Sequence, residues 1–334
     1  MAKPRDPPII EVEMNELKLK KSLNIVNENN IPVAIIIGEN EIKENKIIIK
    51  DMKNSFQITE NLNCYIEAVK DILDISKIQY KIFNPGGNKT ALVKGCEYTS
   101  NQKRIINKMI MEKKTDIEQV GFLSDKEKRL EMAGGEFCLN ATRCAIYEYS
   151  KESNGLIDIS VSGANKRISG KILENNKVKI QLDINKNLEQ LIEEKNDVVY
   201  VKIDGILIVV FNEEKSKKYI KELKEDEEIA KMKIKKLMDN NIKTDEKAIG
   251  IMFLERVKDK IKINPVVWVK DIDTVFYETA CGSGSLGTAI YNYLKSKEAK
   301  TEIIQPSGYS MNIELKVKNK YIETAYISGI VEEE

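Results

Sequence analysis

The sequence predicts an α/β chain with more than one domain. Three observations carry that reading. Short β-branched runs such as Pro32–Gly38 alternate with stretches of helical periodicity. The first 75 or so residues differ in texture from the rest, where strands alternate with Gly-rich turns and a few helices. Two segments that each carry glycine and cysteine run into helical patterns and are consistent with a distant internal duplication, although no fixed-period repeat is present. A chain of 334 residues has room for two to three domains at roughly 100–200 residues each.

In chain order, residues 15–28 read as an amphipathic helix, with Leu17, Leu23, Ile25 and Val26 among its apolar positions. A buried strand is expected at Pro32–Gly38, and two short strands at Lys46–Lys50 and Ser55–Ile58. Thr59-Glu60-Asn61 reads as the start signal of a helix running to Leu73. This makes an α-β-β-β-α unit over residues 1–77. Further on, Asn212–Lys247 is rich in Lys and Glu, and Glu213–Met238 reads as a solvated helix with i,i+4 pairs.

Composition removes several classes of chemistry. Lys and Arg number 54 against 53 Asp and Glu, for a net charge of +1. That balance argues against a nucleic-acid or anionic-membrane surface over the whole chain. The chain has no histidine, so imidazole bases and His-ligated metal sites are excluded. Acid–base chemistry must use Cys, Glu, Asp, Lys or Tyr. The five cysteines are Cys64, Cys96, Cys138, Cys144 and Cys281. They form neither a disulfide framework nor a CxxC pair. No signal peptide and no spanning apolar run are legible, so a reduced, cytoplasmic protein is expected.

The two cysteine segments are Met132-Ala-Gly-Gly-Glu-Phe-Cys138-Leu-Asn-Ala-Thr-Arg-Cys144 and Tyr277-Glu-Thr-Ala-Cys281-Gly-Ser-Gly-Ser-Leu-Gly. Helical patterns follow at Ala141–Tyr149 and Ser285–Leu294. Cys138 and Cys281 are therefore expected at helix N-termini. Free backbone N–H groups and the dipole stabilise an anion there. Such a thiol is expected to have a pKa below the usual value of about 8.5. Two such sites can hold one substrate carboxylate between two helix ends, with a sulfur on each face of the α-carbon. Cys64, Cys96 and Cys144 read instead as buried, inert cysteines.

These segments resemble the two signature motifs of diaminopimelate epimerase and its relatives, the cofactor-independent amino-acid racemases. Phe83-Asn-Pro-Gly-Gly-Asn88, a Gly-Asn turn, Glu118-Gln119-Val-Gly-Phe122, near the family's Gln, and Gln305-Pro-Ser-Gly308, a late turn, match three further segments of that family in the same order. The variants are closer to the branch of histidine racemases in staphylopine-type metallophore synthesis. The resemblance covers roughly residues 78–334. It implies two similar α/β domains, 78–184 (with 321–334 returning to it) and 185–320, each a mixed, barrel-like sheet around a central helix. It also implies a cleft between them, no cofactor, an amino-acid substrate and a homodimer. Leu139 stands where the family has Gly, beside the expected carboxylate site. The Glu-Arg pair that precedes the second Cys in diaminopimelate epimerases is missing, and the stretch reads Lys270-Asp-Ile-Asp-Thr-Val-Phe-Tyr277. Leu17–Leu73 is similar to about half of the anticodon-binding domain of histidyl-tRNA synthetase. Either tRNA binding or a role as a docking or dimerisation appendage fits that unit, whose low aromatic content offers little for base stacking.

The resemblance assigns Cys138 and Cys281 as the acid–base pair. Asn140, Gly282 and Ser283, with Leu139 beside them, would border the substrate carboxylate. Asn88, Glu118, Gln119 and Glu278 are candidates for the α-amino group or for orienting a thiol. The leading expectation is a racemase of histidine or another amino acid with a polar side chain. Diaminopimelate epimerase and a non-catalytic binding protein with an RNA-binding N-terminal unit are the alternatives.

Overall fold

The computed structural model describes residues 18–75, 78–94, 98–151, 155–270 and 273–334. The chain divides into two compact units, Met1–Lys77 and Ile78–Glu334.

The first unit runs α1 (Leu19–Glu28), β1 (Val33–Ile36), α2 (Glu39–Lys43), β2 (Lys46–Asp51), β3 (Phe56–Asn61) and α3 (Tyr65–Ile75). Its strands pair antiparallel in the order β1-β2-β3. Ile47, Ile49, Phe56, Ile58, Ala68 and Ile72 form its core. Two expectations need correction. The short helix α2 was not anticipated. Of the expected start signal Thr59-Glu60-Asn61, Thr59 and Glu60 extend β3 by pairing with Ile48 and Ile47, and the helical stretch begins only after Asn61, with the turn Leu62–Cys64 that leads into α3. The cap lies at the end of the set, where Asn61 accepts the Asn63 N–H at 2.9 Å. A long-range strand pairing here outweighs a local start signal. The expected 15–17 portion of α1 lies outside the described residues.

The second unit opens with β4 (Gln79–Asn84), β5 (Thr90–Lys94), α4 (Ser100–Lys113), β6 (Gln119–Ser124), β7 (Arg129–Met132), α5 (Leu139–Ser150), β8 (Ile157–Val161), β9 (Ile168–Ile172) and β10 (Lys177–Asn187). It continues through α6 (Leu188–Leu191), β11 (Ile192–Lys195), β12 (Val198–Ile203), β13 (Ile206–Phe211), α7 (Glu213–Glu225), α8 (Glu227–Asn241), β14 (Ala248–Val257), β15 (Lys260–Val269) and β16 (Thr274–Tyr277). It closes with α9 (Gly282–Ser296), β17 (Lys300–Ile304), β18 (Ser310–Lys318), β19 (Tyr321–Ile330) and β20 (Glu332–Glu333).

The pairing senses repeat. From β4 to β10 they are antiparallel, parallel, antiparallel, parallel, antiparallel, antiparallel. The series β12, β13, β14, β15, β17, β18, β19 has the same senses in the same order. The halves join where β10 and β19 pair antiparallel, and the whole closes as a barrel. Beyond that seam each strand leads into the other half, β11 onto β12 and β20 onto β4.

Each half wraps a central helix. Helix α5 packs on β5, β7, β8, β9 and β10, and α9 packs on β12, β13, β14, β15, β17 and β18. Both are buried on nearly every side, so small residues are required where a strand crosses close. A Cβ on Gly287 would lie 2.6 Å from Ile208 Cγ2. The parallel strands are covered on both faces, which suits their unbroken apolar runs. Every residue of β13, Ile-Leu-Ile-Val-Val-Phe, is buried.

The stretch expected as one solvated helix is two. Asp226 adopts an extended conformation between α7 and α8, and its side chain caps α8 at the Ile229 N–H. The i,i+4 pairs are present, for example Lys231–Glu227 at 3.3 Å. The other face of the pair buries Ile220, Leu223, Ala230, Ile234 and Met238 with Val209, Ile251 and Phe253 of the sheet. Its charge therefore describes only half of the surface. Among the described residues no helix is long and apolar enough to cross a membrane.

Candidate active site

The N-termini of α5 and α9 meet at the seam between the halves. Cys138 caps α5 and Cys281 caps α9, both with extended backbone, φ −126° and −130°. Cys138 Sγ accepts the Ala141 N–H at 3.4 Å and Cys281 Sγ accepts the Gly284 N–H at 3.3 Å. The residues after the two cysteines touch. A Cβ on Gly282 would lie 2.6 Å from Leu139 Cβ. The bulk of Leu139 is thus accommodated by the glycine opposite, and Leu139 is buried.

Loops from both halves lace this junction together. Asn88 Nδ2 and Asn140 Nδ2 both donate to Ala280 O, at 3.1 and 2.9 Å. The Asn88 N–H donates to Thr279 Oγ1 at 2.6 Å, and the Thr279 hydroxyl donates to Glu118 Oε1. Gly86 and Gly87 serve the turn, with φ +83° and +102°, and Asn84 Oδ1 accepts both of their N–H groups. A Cβ on Gly87 would lie 2.9 Å from Thr279 O. Asn88 itself has φ +55°, and its Oδ1 is buried without a partner among the described residues.

The cleft above the junction has a volume of about 290 Å³, near the lower end for small-molecule sites. Cys138, Cys281, Asn88, Glu118, Gln119, Leu139, Asn140, Glu278, Gly282 and Ser283 all border it. Their engagements differ. The Asn140 amide is spent inside the protein, because its Oδ1 also takes Arg143 Nη2 at 2.8 Å. Only its backbone N–H, which lies against Cys138, remains near the cleft. The Cys138 thiol donates to Gln119 Oε1 at 3.0 Å. Gln119 Nε2 donates to Thr90 Oγ1 at 2.7 Å, and Thr90 Oγ1 donates to Asn88 O at 3.1 Å. That chain fixes the amide with its oxygen toward the sulfur. The Cys281 thiol faces the Glu278 carboxylate instead. The Cys281 N–H donates to Gln305 Oε1 at 2.9 Å.

The expected lowering of the thiol pKa values is not found. Burial pushes Cys138 up to about 12, against the N–H groups of Ala141 and Asn140, and the Glu278 and Glu136 charges add to it. Burial also raises Cys281 well above its ordinary value, and Glu278 reinforces that. Desolvation and nearby carboxylates outweigh the helix ends. Glu278 is raised to about 8, mostly by burial, with Glu118 and Glu136 contributing. Burial also raises Glu118 and Glu136. Burial in the cleft thus disfavours the charged form of both thiols and of all three carboxyls.

Glu136 and Arg143 are among the residues around the cleft that sequence reasoning missed, as are Ser100, Arg104 and Asn107 of α4. Glu136 borders the cleft two residues before Cys138. Arg143 is wholly buried and ties α5 to Pro85 O at 2.9 Å and Ile330 O at 3.2 Å. Both lie inside the quoted motif, but neither partner could be read locally. Of the remaining cysteines, Cys144 is buried as expected and Cys64 is exposed, contrary to expectation. Cys64 lies at the end of the turn Leu62–Cys64 that leads into α3. Cys96 lies outside the described residues.

The histidine racemase CntK N-terminal domain family matches residues 77–333. The chain belongs to that histidine racemase family. A histidine racemase of Fusobacterium nucleatum subsp. nucleatum is 32% identical over 284 residues, 78% of this chain and 94% of that protein. The histidine racemase of Staphylococcus aureus is 23% identical over 248 residues, 69% of this chain and 86% of that one. A 49-residue stretch, 15% of this chain, is 39% identical to 12% of a histidine–tRNA ligase of Bacillus cereus. Membership of the racemase family makes the protein an isomerase.

Proposed function

We propose that this chain racemises an amino acid at its α-carbon with Cys138 and Cys281 as the acid–base pair, and that the amino acid is histidine. The observation that carries the mechanism is the pair of thiols capping two matched helices that meet at one cleft. The names of the matched relatives support histidine as the substrate.

In this reading the substrate carboxylate lies on the N–H groups of the first turns, including those of Gly282, Ser283 and Asn140. Asn88 Oδ1 and Glu118 receive the α-ammonium. Glu278 takes the Cys281 proton, leaving a thiolate. That thiolate removes the α-proton, so an S–H bond forms as the C–H bond breaks. The electron pair spreads into the carboxylate, where the helix-end donors stabilise it. The Cys138 thiol delivers its proton to the opposite face. The roles exchange for the other enantiomer. The apolar walls of the cleft, Ile206, Val267, Val269 and Phe276 among them, limit water around the carbanion. Glu278 orients and primes, and the two sulfurs alone move the carbon-bound proton.

The test is α-proton exchange in D₂O with reduced protein, a panel of L-amino acids and no added pyridoxal phosphate. Histidine is expected to lose its α-proton NMR signal as D-histidine forms. Cys138→Ser and Cys281→Ser should each reduce racemisation by about 10²–10⁴-fold with unchanged circular dichroism. Wild-type-like turnover in either variant would remove the two-thiol mechanism. Exchange confined to another amino acid would overturn the substrate alone.

A further inference from the structure

Three carboxylates border the cleft, and two of them are engaged. Glu118 holds Thr279, and Glu278 faces Cys281. Glu136 acts on the Cys138 thiol and on Glu278 only through its charge, yet its position is closely fixed. Ser162 Oγ donates to Glu136 O at 2.8 Å and itself takes the Met132 N–H at 2.9 Å. A Cβ on Gly163 would lie 2.5 Å from Phe137 N, so only glycine lets that turn pack beneath the loop. The carboxylate folds back over Gly134, where a Cβ would lie 2.5 Å from Glu136 Oε2. The Gly134 and Glu136 N–H groups lie against it. Held this way, Oε2 is enclosed and has no hydrogen-bond partner among the described residues. The Lys247 ammonium sits beyond Gly135 and offsets the charge without occupying that oxygen.

An enclosed acceptor without a donor destabilises the free protein. It is tolerated at sites where a ligand supplies the missing donor. Asn88 and Glu118 gather at Thr279–Ala280, and they already answer the α-ammonium in the reading above. Glu136 stands among Ser162, Gly163 and Lys247 instead. We infer that Glu136 Oε2 accepts an N–H from the side chain of the bound amino acid and so sets specificity. The inference rests on the racemase reading and names the side-chain class: a planar group with an N–H donor, as in a neutral imidazole. A thioether or aliphatic side chain of similar size leaves the oxygen buried and unpaired, and such sites discriminate strongly.

The experiment compares kcat/KM for α-deuterium exchange of histidine and of methionine in wild type, Glu136→Gln and Glu136→Leu. In Glu136→Leu the histidine-to-methionine ratio of kcat/KM should fall about 10²-fold. Glu136→Gln, which keeps an acceptor oxygen in the same shape, should recover part of that ratio. A thermal melt with and without histidine provides a second readout. Stabilisation by histidine should shrink in the Leu variant more than in the Gln variant. Parallel loss for both substrates, or no change in the histidine-to-methionine ratio, would overturn the assignment of Glu136 alone. Absence of exchange with any amino acid in the wild type would overturn the racemase reading and this inference with it.

Discussion

Gln119 and Glu278 hold the two thiols by different chemistry. The amide oxygen facing Cys138 cannot take a proton at any working pH, and Thr90 locks its orientation. The carboxylate facing Cys281 can, because burial places its pKa at about 8. Below that pH Glu278 carries its own proton and cannot accept one from Cys281. Activity should therefore rise as pH increases through about 8. Glu278→Gln should remove that limb and lower kcat by about 10²-fold or more, which a pH profile of kcat checks. A profile unchanged by the substitution would place the titration elsewhere. The cysteines themselves were legible in the sequence, because a cap and the small residues behind it are local features. Their raised pKa values were not, because desolvation is set by chain segments far away in sequence. Glu136 was invisible for a similar reason: its significance lies in an oxygen without a partner.

Helices α5 and α9 bring their N-termini together only because one of the two facing positions lacks a side chain. Gly282→Ala would place a Cβ 2.6 Å from Leu139 Cβ and wedge the helix ends apart. Misplacement of reacting groups by about 1 Å can cost about 10²-fold in rate. The expected outcome is a loss of that order in kcat/KM, restored in large part by combining Gly282→Ala with Leu139→Gly. A double-mutant cycle on kcat/KM reads the coupling, and additive losses would refute the contact. The Leu139 departure and the Gly282 match were both readable in the motifs, but their compensation was not, since they lie far apart in the chain. The same distinction explains the misplaced start of α3. Thr59 and Asn61 both carry capping side chains, but pairing with Ile48 holds Thr59 in β3 and the cap falls to Asn61.

The chain's last residues are bound to the first half by charge as well as by pairing. Glu148, on the central helix α5 and almost fully buried, meets Lys81, Lys94 and Lys151 at 2.8–2.9 Å. Lys81 and Lys151 also pair with Glu333 of β20. Burial opposes ionisation of Glu148, but the three lysines outweigh it and hold the carboxyl at about 2. Its folded pKa is thus below the unfolded value of about 4.3. The stability it contributes is present above that unfolded value and is lost as pH falls toward about 2. Glu148→Gln should lower the melting temperature at pH 7 and flatten its dependence on pH between about 5 and 2. An equal loss at pH 7 and at pH 2.5 would argue for packing rather than charge. Motif order made the fold class legible over residues 78–334. The resemblance also implied a return of the last residues to the first half, where β20 pairs with β4, but the β10–β19 seam and the pairing of β11 with β12 were not legible, because each joins parts of the chain that carry no motif.

The unlike partners of the two sulfurs, Gln119 on one side and Glu278 on the other, meet a constraint that no protein can evade. Mirror-image forms of one amino acid have the same free energy in water, so their interconversion has an equilibrium constant of unity. Turnover divided by half-saturation must then be equal from either side. In the mechanism proposed above, where Glu278 favours withdrawal on the Cys281 face, whichever enantiomer is held more readily must turn over more slowly in compensation. The lopsided cleft cannot enrich either hand. It sets only which hand saturates the protein first, and at what concentration.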